Sequence, residues 1–157
     1  AAARGLSVGW GKDPGGDTPA LANTRGGSVN LAAAGQGLHT LFIRAWDEAG
    51  NVTVKSYGPV GYDISSPALL SISEPIRLQA HQAQPIVWPA ATDNAAGVLG
   101  YRIYVGIDPL GISEWFVYSP STTLEALTPG SYLLRVQALD AAGNASEWMT
   151  ITQIIVE

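Results

Sequence analysis

Residues 37–53 align without a gap on residues 130–146, and this internal repeat restricts the possible folds more than any local propensity does. Gly37/Gly130, Leu41/Leu134, Ala45/Ala138, Asp47/Asp140, Ala49/Ala142, Gly50/Gly143 and Asn51/Asn144 are identical, seven of 17 positions. The offset of 93 residues is the length of one small domain, so a chain of 157 residues holds one whole copy and part of another. Each copy alternates in the manner of a half-buried strand. His39, Leu41, Ile43 and Ala45 point one way in the first, as do Tyr132, Leu134, Val136 and Ala138 in the second, and Arg44 and Arg135 fall on the opposite faces.

The strand then stops at Asp-x-Ala-Gly-Asn for a chemical reason. Asp47, Asn51, Asp140 and Asn144 can bond nearby backbone amides, and Gly50 and Gly143 accept positive φ. A second strand follows each turn, over 52–57 and 148–156, so each copy contains a hairpin. Earlier strands match as well. Gly5-Leu-Ser-Val-Gly9 with Asp13-Pro14 parallels Gly100 to Gly106 with Asp108-Pro109, and shorter strands are expected over 28–32, 114–118 and 122–126. Residues 62–67 read as a linker closed by proline. The second copy has a leading segment, 68–97, with strands expected over 70–72 and 86–88; the first has no counterpart to it in this sequence.

Composition narrows the function classes. A hydrophobic fraction of 46% with 13% charged residues supplies cores between the turns that 18 Gly and 10 Pro provide, which excludes disorder. Eight basic residues against 13 acidic ones, with no basic cluster, remove nucleic acid as a partner. No apolar run approaches the ~20 residues of a membrane helix, so no membrane insertion is expected. The start of the sequence lacks the pattern of a signal peptide, which leaves secretion open because a mature chain would have lost one. Without Cys there is no disulfide framework, thiolate metal site or cysteine nucleophile.

In the second copy, Ile86-Val-Trp88, Thr92-Asp93, Gly100-Tyr-Arg-Ile-Tyr104 and Leu127-Thr-Pro-Gly-Ser-Tyr132 together resemble the fibronectin type III and bacterial immunoglobulin-like domains. The resemblance implies a core tryptophan at Trp88 and a tyrosine corner, in which the Tyr132 hydroxyl bonds backbone a few residues upstream. His39 stands at the Tyr132 position of the first copy. The family's sandwiches serve as spacers, adhesins and accessory modules alike, so the resemblance speaks to fold before function.

Several constellations have a plain structural reading beside a functional one. Gly5-Leu-Ser-Val-Gly9 fits a nucleophile elbow, but Trp10-Gly-Lys-Asp-Pro14 cannot start the helix that an elbow requires, and the repeat makes Ser7 a mid-strand residue. The two Asp-x-Ala-Gly-Asn turns offer two side chains each, against the six to eight oxygens calcium takes; the linker near Asp63 is the better metal candidate, and turn chemistry is the preferred reading. Asn51-Val-Thr53 and Asn144-Ala-Ser146 are glycosylation sequons that follow from the repeated turn, and His81 reads as a loop histidine. Phe42, Arg44 and Trp46 form the least ordinary feature. By alternation they leave the core beside the small residues Gly5, Ser7 and Gly9, giving an exposed aromatic strip that could stack a sugar ring, dock an adjoining domain or lie under a loop.

The expected architecture is all-β, two tandem immunoglobulin or fibronectin III-like sandwiches: 1–64, lacking its opening strands, and 65–157, complete. The expected role is a non-catalytic spacer or adhesion module of a larger secreted or surface-anchored bacterial protein, with a carbohydrate-binding accessory module as the alternative. No catalytic residues, metal ligands or cofactors are assigned. The expected partners are adjoining domains of the same polypeptide, a glycan under the alternative reading, and a homodimer mate or covering segment at the first repeat.

Overall fold

The computed structural model describes residues 2–16, 20–22 and 26–157. It divides into two compact units, Ala1–Asp63 and Ile64–Glu157. In the first unit the strands are β1 (Ala3–Trp10), β2 (Leu21–Ala22), β3 (Gly37–Asp47) and β4 (Val52–Tyr62). They form one antiparallel sheet in the order β2-β1-β3-β4.

The second unit contains β5 (Ile76–Leu78), β6 (Gln84–Val87), β7 (Val98–Gly106), β8 (Phe116–Val117), β9 (Ser121–Leu124), β10 (Gly130–Asp140) and β11 (Met149–Val156). A five-stranded sheet, β5-β11-β10-β7-β8, packs against the two-stranded sheet β6-β9. This is a β-sandwich. Its interior comes from the alternation read in the sequence: Ile103 on β7, Leu134, Val136 and Ala138 on β10 and Ile154 on β11 are fully buried, facing Ile86, Trp88 and Leu124. Trp88 meets Tyr101 edge to face, with ring centroids 5.6 Å apart, and the Tyr101 hydroxyl accepts from the Ala91 amide at 2.9 Å.

The all-β class expected from the sequence is the class observed, with local differences. Residues 28–30 are irregular and run into a short 3-10 turn, Leu31–Ala34, where a strand was expected. Among the described residues no strand pairs with this stretch, whereas its counterpart in the second unit, β9, is held by β6. Residues 70–72 are likewise not a strand, although the Ile72 amide donates to the Ile151 carbonyl at 2.9 Å. The opening strand of that unit is instead β5, which pairs parallel with β11. β4 extends through Tyr62, so the first part of the expected linker is strand.

Alternation places Arg135 on the right face but does not show that the face is covered. Arg135 lies on the outer face of β10 yet is only 7% exposed, because residues 107–115 fold over it. Its guanidinium donates to the Gly111 carbonyl at 2.6 Å and to the Trp148 carbonyl at 3.3 Å. Gly111 lies flat against the Tyr104 ring, where a Cβ would overlap the aromatic carbons.

Gly111→Ala should therefore lift the covering segment and break the bond to Arg135. The expected loss is about 2 kcal/mol, within the range of overpacking substitutions, read as a lowered urea midpoint of the second unit. Tyr132 is the third residue of β10, its hydroxyl donating to the Thr128 carbonyl at 3.0 Å in a solvent-accessible bond. Tyr132→Phe should accordingly cost about 0.5 to 1 kcal/mol in the same measurement, the worth of one solvent-accessible hydrogen bond.

Candidate functional site

The register of the first sheet fixes which side chains share a face, since directly paired residues in an antiparallel ladder point the same way. Gly5 pairs with Trp46, Ser7 with Arg44 and Gly9 with Phe42, so the strip does lie beside three small residues. It is not exposed. Trp46 is 3% exposed and Ser7 6%, while Phe42 and Arg44 are half-buried.

The chain after β1 fills the space. The Lys12 carbonyl comes within 2.7 Å of where a Cβ of Gly9 would sit, Asp13 forms a 2.9 Å ion pair with Arg44, and the Ala20 amide donates to the Ser7 hydroxyl at 2.8 Å. The Arg44 guanidinium lies over the Trp46 ring, 5.4 Å from its centroid. Alternation assigns the face correctly but carries no information about what crosses it, and the signal available was Asp13, the carboxylate that Arg44 requires. Ser7 is a mid-strand residue whose hydroxyl is an acceptor for backbone, not a nucleophile at an elbow.

The second unit repeats the device with different chemistry. The segment after β7 folds over the outer face and is pinned through its Gly111 carbonyl by Arg135, as the segment after β1 is pinned through Asp13 by Arg44. Sequence reasoning found the Asp13-Pro14 and Asp108-Pro109 match but not its role, because Gly111 carries no side chain to mark it.

The two turns are built alike. Asp47 accepts from the Asn51 amide N–H and side-chain amide, each at 2.8 Å; Asp140 accepts from Asn144 at 2.8 and 2.7 Å. Gly50 and Gly143 have φ of +85° and +96°, and nothing lies within 4 Å of a Cβ at either. These bonds close each turn on itself. The side-chain bond from Asn51, then its backbone N–H, hold the Asp47 carboxyl below the usual carboxylate range.

Trp88, read as a core residue, is 3% exposed. The aromatic surface of the second unit lies elsewhere, at Trp115 and Tyr118, which are 42% and 77% exposed. Phe116 and Tyr118 meet edge to face at 89°, so that pair offers no flat platform to a sugar ring. A cleft of about 220 Å³ lies at the start of the same unit, lined by residues including Ser65, Ala68, Thr92, Asp93 and Asn94. Asp93 Oδ2 accepts from the Ala95 and Gly97 amides, which organises the loop before β7.

No family model matches the chain. No curated protein matches it either. Among solved structures it is similar to a chain described as fibronectin(III)-like modules of Clostridium thermocellum CbhA, at 18% identity and a TM-score of 0.47. The similarity covers 78% of this chain and 63% of that one, so the match spans less than two thirds of the other chain's length.

Two outcomes follow from the turns. Asp47 should titrate below an ordinary aspartate when followed by NMR, and Asn51→Ala should raise its midpoint. Because the folded pKa is the lowered one, the carboxylate's contribution is complete above the unfolded pKa and is lost as pH falls through the folded value. Gly143→Ala should cost about 1 kcal/mol from backbone conformation alone, seen as a lower denaturation midpoint with no change in the spectrum of the folded state.

Proposed function

We propose that the chain is a non-catalytic structural module, a spacer or adhesion segment of a larger secreted or surface-anchored bacterial protein. The observation that carries this reading is that the strip of Phe42, Arg44 and Trp46 is consumed inside its own unit, by Asp13 and the chain after β1. The same economy holds at the turns, where Asp47, Asn51, Asp140 and Asn144 bond one another, and at Arg135, which holds a covering segment. Polar side chains spent on backbone make a rigid element that transmits position. The secreted or surface setting and the bacterial source rest on the sequence resemblance carried by Trp88, Tyr101 and Tyr132.

The alternative, an accessory carbohydrate-binding module, has one observation in its favour: Trp115 and Tyr118 are exposed on the second unit. Stacking on a sugar would quench or shift tryptophan emission and would be lost in Trp115→Ala. Under the structural reading, titration with soluble polysaccharides and with a glycan array should give no saturable signal, and Trp115→Ala should behave as the wild type. Saturable binding that disappears in Trp115→Ala would replace the spacer by the glycan module.

A further inference from the structure

We infer that the second unit holds a calcium ion between the carboxylates of Asp93 and Asp140, beside the cleft that Asp93 lines. Both residues belong to that unit, one from the loop before β7 and the other from the end of β10. The fold brings a carboxylate oxygen of each to within 4.8 Å of the other. Calcium takes oxygen ligands at about 2.3 to 2.6 Å, so one ion can touch both carboxylates across that gap.

What separates this pair from acidic residues that merely lie close together is an oxygen with nothing to bond. Asp93 Oδ2 accepts from the Ala95 and Gly97 amides at 3.1 and 2.7 Å. Its Oδ1 is closed off from solvent and accepts no hydrogen bond. Asp140 is 1% exposed, and among the described residues no Lys or Arg forms an ion pair with either carboxylate. A buried carboxylate oxygen without a donor has given up its hydration for no return, and a second negative charge at this distance raises the cost. A divalent cation removes both penalties at once.

The first unit supplies an internal comparison. Asp47 makes the same two bonds to Asn51 that Asp140 makes to Asn144, and each carboxylate has about four lone-pair sites, so both turns leave acceptor capacity over. Asp47 is half-buried, and water can serve what remains; Asp140 has no such access. Donor chemistry then selects the ion. Besides Asp93, the cleft is lined by the oxygen-bearing side chains of Ser65, Thr92 and Asn94, and it has room for water. Such hard oxygen donors suit calcium, which takes six to eight of them in flexible geometry, and not zinc, which favours nitrogen and sulfur.

The test uses the full chain, stripped of metal with EDTA, and calcium chloride. In an isotope-labelled chain followed by NMR, calcium should shift the Ala95, Gly97 and Asn144 amides, which donate to the two carboxylates, along one saturable curve. Its midpoint should fall at about 0.1 to 1 mM, the range of extracellular modules, and magnesium should need about tenfold more or fail to saturate. The Asn51 amide, in the equivalent turn of the first unit, should stay in place. Asp93→Asn, checked by an unchanged unfolding transition in EDTA, should weaken calcium binding by about tenfold or more. Three results would each overturn the inference: no saturation by about 10 mM calcium, movement of Asn51 along the same curve, as diffuse attraction to a chain of net charge −5 would give, or wild-type affinity in folded Asp93→Asn.

Discussion

The bond pair between an aspartate and the asparagine four residues on is the constraint from which the rest follows. In each unit it closes a tight turn, sets the register of two long strands, and so determines which side chains share a face. An unpaired Asp and Asn at a turn would each seek water. Paired, they satisfy the carboxylate and one backbone N–H together, and the glycine between them takes the left-handed conformation that closes the loop. The two turns agree to within 0.1 Å in these bonds, although the sheets they belong to are covered in different ways.

Much of this was legible because it is local. Alternation over residues 130–140 specifies the buried set of β10, and Asp-x-Ala-Gly-Asn specifies the turn; neither depends on a distant part of the chain. The exposed strip at Phe42, Arg44 and Trp46 was misread because alternation distinguishes two faces but cannot say whether a later segment crosses the more polar one. Covering here is a long-range event: Asp13 reaches Arg44 across 31 residues and Gly111 reaches Arg135 across 24. The strand expected over 28–32 is absent for a related reason, since among the described residues no strand pairs with it.

The two arginines show how one topological problem admits two electrostatic solutions. A segment leaving the first shared strand must return over the outer face and be held there. Arg44 meets a carboxylate and an indole ring, and Arg135 meets neutral carbonyls. A guanidinium keeps its charge at any pH a protein survives, so each clasp retains its cation.

The uneven burial of the two units bears on how the chain comes apart. Denaturant sensitivity scales with the surface newly exposed on unfolding, and a sheet whose Leu41, Ile43 and Ala45 are already half open to water has less left to expose than one whose equivalents are sealed. The denaturant slope contributed by the first sheet is then the smaller of the two, and the sandwich supplies most of the surface that unfolding exposes.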